Sequence, residues 1–265
     1  MQEAIDLSAM KCVSAEVMAN RFSEKGWEKT NVNVPMERDL TVYVNLRELV
    51  TILCTPDKLN FLVLGFLYSE GIISNMTDVL MMRVCDEESE VDVRLVNPDF
   101  ELPTKRRLTS GCGGGAAFRT EGQRVDSAFE VTPMEVMSLM KRLQEEMELY
   151  RLSRGVHASA LADKKNLLVM AEDIGRHNTL DKIQGECLFK GLSTGNCLLL
   201  STGRISSEML LKAARMQVPV IVSRHSPTGS AVSLARDLGI SLVGRVRGNR
   251  LSVYSHPERL GCPDN

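Results

Sequence analysis

The sequence has no long apolar run. No stretch approaches the ~18–20 residues that a membrane helix needs, so a membrane-spanning class is not expected. It has no C-x-x-C pair either. Its seven cysteines stand apart at positions 12, 54, 85, 112, 187, 197 and 262. That spacing argues against a zinc finger or a disulfide framework, and makes reduced, cytoplasmic thiols the default. The four histidines contain no H-x-x-x-H spacing, and no metal site is expected. Residues 1–11 carry Glu3 and Asp6 and lack the apolar stretch of a secretory signal. Neither sign of charge is in excess. A net charge of −2 makes bulk nucleic-acid binding unexpected, so any anion site must be local.

What is present is an ordinary globular composition. With 265 residues, 43% of them hydrophobic, the chain can build one or two domains with a sizeable core. Residues 1–12 show no pattern. Residues 40–44 and 48–54 read as strands across a short turn, and 79–84 and 91–96 as two more. Between these pairs, Thr55-Pro56-Asp57 reads as a helix start, with Thr55 as cap and proline at the first helical position. Gly71 ends that helix. The first third is therefore a small α+β unit.

Residues 97–118 lose all periodicity. Lys105-Arg106-Arg107 precedes Thr109-Ser110-Gly111-Cys112-Gly113-Gly114-Gly115. Glycine leaves the backbone free and the Cys112 sulfur unshielded, and nearby cations favour thiolate, the nucleophilic form. Two readings fit: a reactive cysteine on a functional loop, or a linker that happens to hold a small hydrophobe. The division expected is residues 1–108, a glycine-rich active loop at 109–118, and residues 119–265.

The second half alternates strands and helices, which implies an α/β fold with a mixed sheet covered by helices. Thr132-Pro133-Met134-Glu135 is a capping box. Strands are expected at 156–162, 167–171, 197–201, 218–222 and 240–243, with helices after Asn178, at 207–216, and from a Ser226-Pro227 cap to Leu238. Three loops follow strand ends, where ligands bind in open α/β sheets. One is Glu172-Asp173-Ile174-Gly175-Arg176-His177-Asn178. It is either a site in which the acids orient Arg176 or His177, or a helix-start network with Asp173 capping and Arg176 paired to Glu172. The second carries Gly203 and Arg204, and the third Arg224 and His225. The latter two lead into helix N-termini, which offer N–H groups to anions.

Last comes Arg245-Val246-Arg247-Gly248-Asn249-Arg250. Gly248-Asn249 signals a two-residue hairpin turn. Arg247 would then face Arg250, and Arg245 would face Ser252, with all three arginines on one side. Facing like charges destabilise a hairpin. An anion bridging them is favoured over a plain solvated edge, since arginine suits phosphate.

At these residues the sequence resembles the formate dehydrogenase accessory family, the FdhD sulfur carriers. The shared runs include Leu64-Gly65-Phe66-Leu67-Tyr68-Ser69-Glu70-Gly71, Ser110-Gly111-Cys112-Gly113, Gly155-Val156-His157-Ala158, the Glu172-to-Asn178 motif with Asp181-Lys182, Ser201-Thr202-Gly203-Arg204, and residues 242–250. The resemblance implies a cytidine-deaminase-like C-terminal domain without the deaminase zinc ligands, and a smaller N-terminal domain. It implies a sulfurtransferase that takes sulfur from a cysteine desulfurase as a persulfide on Cys112. The sulfur would pass to a molybdenum bis-guanine-dinucleotide cofactor needed by formate dehydrogenase. Cofactor binding would fall on Arg245, Val246, Arg247, Gly248, Asn249 and Arg250, with Gly203, Arg204, His177 and Arg176. A homodimer is a further expectation, with no nucleic acid and no membrane. Many members carry C-x-x-C in the glycine loop, where this chain has Gly115. The alternative is a non-catalytic chaperone that escorts the cofactor to formate dehydrogenase.

Overall fold

A computed structural model describes residues 13–85, 89–99, 107–108, 116–117 and 123–263. The chain opens with an antiparallel hairpin of β1 (Ser14–Ser23) and β2 (Gly26–Pro35). The sequence reading assigned no strand here. Not one residue of this hairpin is buried, so its polar–apolar alternation marks no core face.

The expected α+β unit follows. Strands β3 (Arg38–Val44), β4 (Arg47–Cys54), β5 (Val79–Cys85) and β6 (Glu90–Leu95) form a sheet in the order β4-β3-β6-β5. Helix α1 (Leu59–Ser69) packs Leu62, Val63 and Leu67 onto Leu40, Val42, Val91 and Val93. Gly71 ends the helix at φ +75°, as expected. The start differs. Lys58 occupies the cap position at φ 52°, without a side-chain cap. Thr55 is instead drawn into the second half of the chain, where its N–H donates to Asp173 Oδ2 at 3.1 Å. A tertiary partner has overridden local capping preference.

Two-residue strands β7 (Arg107–Leu108) and β8 (Ala116–Ala117) pair antiparallel, so the chain on either side of residues 109–115 is brought together. Cys112, its glycines, Lys105 and Arg106 lie outside the described residues.

The second half begins with α2 (Pro133–Glu146), opened by the capping box: the Glu135 N–H donates to Thr132 Oγ1 and Glu135 Oε2 accepts from the Thr132 N–H. A short helix α3 (Glu148–Ser153) leads to β9 (His157–Ala162) and β10 (Leu167–Asp173). Then come α4 (Arg176–Lys190), β11 (Leu198–Ser201), α5 (Ser207–Arg215), β12 (Val220–Ser223), α6 (Gly229–Leu238), β13 (Ser241–Arg247) and β14 (Arg250–Ser255). Helix α6 is capped by Thr228, two residues after the expected Ser226. The sheet order is β10-β9-β11-β12-β13-β14, with β11, β12 and β13 parallel and the rest antiparallel. Alternate residues feed opposite faces. Leu199, Ile221 and Leu242 pack against α4, α5 and α6, whereas Leu198, Leu200, Val220 and Val222 pack against α2.

The two halves join where α1 crosses α4. A Cβ on Gly65 would stand 1.8 Å from the Asp181 carbonyl oxygen, and one on Gly185 1.9 Å from that of Phe61. Only glycine permits so close a backbone approach. Polar bridges surround the crossing. The Lys182 ammonium, fully buried, pairs with Asp173 at 2.7 Å and donates to the Thr55 carbonyl at 3.1 Å. Lys212 pairs with Asp181, which also accepts from Ser69 Oγ at 2.9 Å. Lys58 pairs with Glu186 at 2.7 Å. Among the described residues, no helix is long and apolar enough to cross a membrane.

Candidate functional site

The parallel strands β11 and β12 end side by side, with Ser201 opposite Ser223. Antiparallel β9 brings its beginning to the same end, since Ser159 lies opposite Ser201, and Asp173 of β10 lies opposite His157. Strand β13 runs parallel to β12, so Gly244 to Arg247 emerge there too. The three expected loops and the arginine strand therefore converge on one edge of the sheet, as the strand order requires.

Buried hydroxyls tie these loops together. Ser159 Oγ bonds Thr179 Oγ1 at 2.7 Å and donates to Ser201 Oγ at 3.1 Å. Ser201 Oγ accepts from the Gly203 N–H, and Ser223 Oγ donates to the Gly203 carbonyl at 2.7 Å. The Arg224 N–H donates to the Ser201 carbonyl. Fixed from both sides, the Gly203 turn is rigid. A Cβ on Gly203 would be a tight fit, 3.0 Å from Arg176 Cβ. Gly203 thus lies against Arg176, while Arg204 is exposed beside it.

The motif from Glu172 to Asn178 divides its labour. Its acids are structural. Glu172 accepts from the Leu149 and Tyr150 N–H groups at the start of α3, rather than pairing with Arg176. Asp173 accepts from Gly175 N–H, Asn178 Nδ2, Thr55 N–H and Lys182. Arg176 and His177, in the first turn of α4, are left at the strand-end cluster.

The arginine hairpin forms with Gly248 at φ 55° and Arg247 opposite Arg250. Val246 is buried, while Arg245, Arg247, Asn249 and Arg250 are exposed. One register expectation fails: Ser252 faces Gly244, not Arg245. Arg245 sits at φ 56° in an irregularity of the ladder. The Arg245 N–H donates to the His225 carbonyl at 3.2 Å, away from β14, and Gly244 lies so close to that carbonyl that a Cβ on it would stand at 2.8 Å. Arg247 reaches back, its Nε donating to the Arg224 carbonyl at 3.3 Å and its Nη2 lying 3.5 Å from His225 Nδ1.

Three histidines at this end of the sheet are all held below their ordinary pKa. Burial and then the charges of Arg176 and His225 push the His157 pKa below its ordinary value. Burial and then Arg247, Arg224 and Arg204 do the same to His225. Burial, then Lys212, Arg176 and His157, push His177 down to about 3. Burial first, and the surrounding fixed cations second, disfavour the protonated form of all three histidines.

The sequence reading placed Arg224 in its third loop but did not single out Ser159 and Thr179, whose hydroxyls help to tie the strand ends together. Among the described residues, no group of three or more His, Cys, Asp or Glu able to hold a metal ion occurs. His256-Pro257-Glu258 does carry a His-x-Glu spacing, but it is spent locally, with His256 Nδ1 3.0 Å from Glu258 Oε1. Among the described cysteines, burial pushes the Cys54 and Cys187 thiols up to about 12 and raises Cys197 as well. These three are core residues rather than nucleophiles.

A model of the FdhD/NarQ family matches residues 35–261. The sulfur carrier protein FdhD of Bacillus subtilis (strain 168) is 38% identical over 248 residues, covering 91% of this chain and 95% of that one. The protein of the same name in Staphylococcus aureus (strain Newman) is 39% identical over 233 residues, covering 84% and 88%. Among solved structures, one described as a formate dehydrogenase accessory protein from Desulfotalea psychrophila superposes with a TM-score of 0.79 at 26% identity, covering 94% and 99%.

Proposed function

Because the chain belongs to the FdhD/NarQ family, we propose that it carries sulfur on Cys112 from a cysteine desulfurase to a molybdenum bis-guanine-dinucleotide cofactor destined for formate dehydrogenase. The observation that carries this reading is the strand-end cluster of Arg176, Arg204, Arg224, Arg245 and Arg247. Its neutral histidines and glycine-lined turns suit a ligand with several phosphates. Arginines take phosphate oxygens in pairs, and Arg204, next to the buried Gly203, is exposed. The dinucleotide cofactor is the substrate here, and the residues present fit its phosphates.

In the loading step, the Cys112 thiolate attacks the outer sulfur of the desulfurase persulfide. A new sulfur–sulfur bond forms on Cys112, and the desulfurase cysteine leaves as thiolate. Delivering that sulfur as sulfide requires two electrons. With Gly115 in place of a second loop cysteine, they come from an external thiol reductant, which departs as a disulfide. The test is direct: incubate the protein with a cysteine desulfurase and L-cysteine, then map persulfide by peptide mass spectrometry. Label on Cys112, absent from Cys112→Ala, is expected. Label that never appears on Cys112 would defeat the carrier reading and leave a cofactor-binding chaperone.

A further inference from the structure

Two features lie apart from the strand-end site. The first is the tip of the β1–β2 hairpin. Phe22 and Trp27 stand opposite each other there, 66% and 74% exposed, with ring centroids 5.1 Å apart. Lys29, two residues along β2 from Trp27, shares their face. Neither strand pairs with a third strand among the described residues. A lone two-stranded hairpin is marginally stable in water. Exposed aromatic side chains of this kind are enriched at protein interfaces.

The second is a cavity of about 390 Å³ at the foot of the same hairpin. Val13, the residue before β1, lines it together with Leu149 and Met170. A cavity of about 150 Å³ already takes benzene, so an indole ring has room. Asp57, Glu146 and Glu148, all exposed, line it as well. Among the described lining residues Lys58 is the one basic side chain, and its ammonium is held by Glu186 at 2.7 Å and by the Met170 carbonyl at 2.8 Å. The cavity therefore suits an aromatic group that brings a cation with it.

We propose that these two features meet across a dimer: the hairpin of a second copy seats Trp27 in this cavity and sets Lys29 against the carboxylates around it. A tip cannot serve its own cavity. Phe22 is nine residues beyond Val13, which at ~3.3 Å per residue places the tip about 30 Å from the foot. The foot itself is held in place. Pro35 packs so closely on Gly155 that a Cβ there would stand 2.8 Å from its Cγ, and the Met36 N–H donates to the Val13 carbonyl at 2.8 Å. Aromatic tip and acidic cavity thus mark opposite ends of one arm. Two such arms laid antiparallel about a two-fold axis bring each tip to the other's foot. The contact is then self-complementary and closes as a dimer. Aromatic burial supplies the anchor, and the lysine–carboxylate pairs fix orientation more than affinity.

Trp27 is the only tryptophan in the sequence, so its fluorescence reports the seat without a label. Sedimentation velocity and acrylamide quenching of the full-length protein are followed over a dilution series. The expected result is a dimer at micromolar concentration with Trp27 blue-shifted and shielded, the mass and the shielding being lost together on dilution. Trp27→Ala should weaken dimerisation at least tenfold. The double variant Glu146→Lys, Glu148→Lys leaves the tip untouched; it should weaken dimerisation comparably and open Trp27 to the quencher, with circular dichroism unchanged. A monomer with freely quenched Trp27 at every concentration overturns the proposal. A dimer with freely quenched Trp27 also overturns it, because the arm then lies outside the interface. Shielding that survives the double lysine variant, or that occurs in a monomer, puts the tip in another seat and overturns the assignment equally.

Discussion

Gly65→Ala should separate the two halves of the molecule. The new methyl would stand 1.8 Å from the Asp181 carbonyl oxygen, so α1 and α4 must part by about 1.6 Å to regain an ordinary contact of 3.4 Å. Overpacking alone costs about 1–3 kcal/mol. The displacement also strains the buried contacts at the same crossing. Ser69 Oγ is 2.9 Å from Asp181 Oδ1, and the Lys182–Asp173 pair at 2.7 Å receives Thr55 from the α1 side. Loosening a buried ion pair costs about 3–5 kcal/mol when it is broken outright, so a partial loss brings the expected total to about 3 kcal/mol or more. For a chain of this size, each kcal/mol moves Tm by about 2–4 °C, which predicts a fall of about 6–12 °C. Calorimetry on the purified variant measures it. Gly229→Ala is the control, because nothing lies within 4 Å of its added methyl; it should leave Tm within about 2 °C of wild type. A Gly65→Ala protein as stable as that control would refute the argument that this contact fixes the halves.

Four further outcomes are expected. Arg247→Ala should weaken binding of guanosine diphosphate by about 1.5–3 kcal/mol in calorimetric titration, the range for a hydrogen bond to a charged group; equal affinity would move the nucleotide elsewhere. That affinity should rise as pH falls below the ordinary histidine range, because a bound polyanion offsets the cationic field that, after burial, holds down His157 and His225, and lets them take up protons; a flat profile would count against their facing the ligand. Stability should also respond to pH through His177. Its folded pKa of about 3 lies below the unfolded value near 6.5, so the unfolded chain binds more protons between them. Its contribution then erodes as pH falls through that window, by up to about 1.4 kcal/mol per pH unit, and His177→Gln should flatten denaturant-derived stability there. Finally, Cys54 and Cys187 should resist alkylation at pH 8 in the native protein and react only on unfolding, as thiols raised to about 12 require.

Local pattern made most of the elements legible. The capping box at Thr132 formed as read, as did the hairpin turn at Gly248 and the stop at Gly71, because each depends on neighbours within four residues. The errors lie where a distant partner decides. Thr55 has the chemistry of a helix cap, but Asp173, which lies 118 residues on, takes its N–H. Glu172 was a reasonable partner for Arg176 until the start of α3 claimed both its oxygens. Arg245 gives its N–H to the His225 carbonyl instead of to β14, which no alternation of residue types records. The hairpin of β1 and β2 went unread because it has no buried face to imprint a periodicity. For the site, the three loops were visible as strand ends. That they share one edge follows only from the strand order.

The junction of α1 and α4 also bears on how the chain can be made. The partners of Thr55, Lys58, Tyr68 and Ser69 are Asp173, Glu186, Arg215 and Asp181. Every one lies more than a hundred positions further along. As the ribosome delivers the chain from its N-terminus, α1 therefore emerges with its glycine notch and its polar anchors unmatched. It stays so until α4 and α5 have left the exit tunnel. The first unit can assemble its own small sheet early, but its seat exists only once the last third has been synthesised. A release factor or a stalled ribosome acting before Arg215 would leave that face open, so quality control would recognise an incomplete chain by its first half rather than by its ragged end.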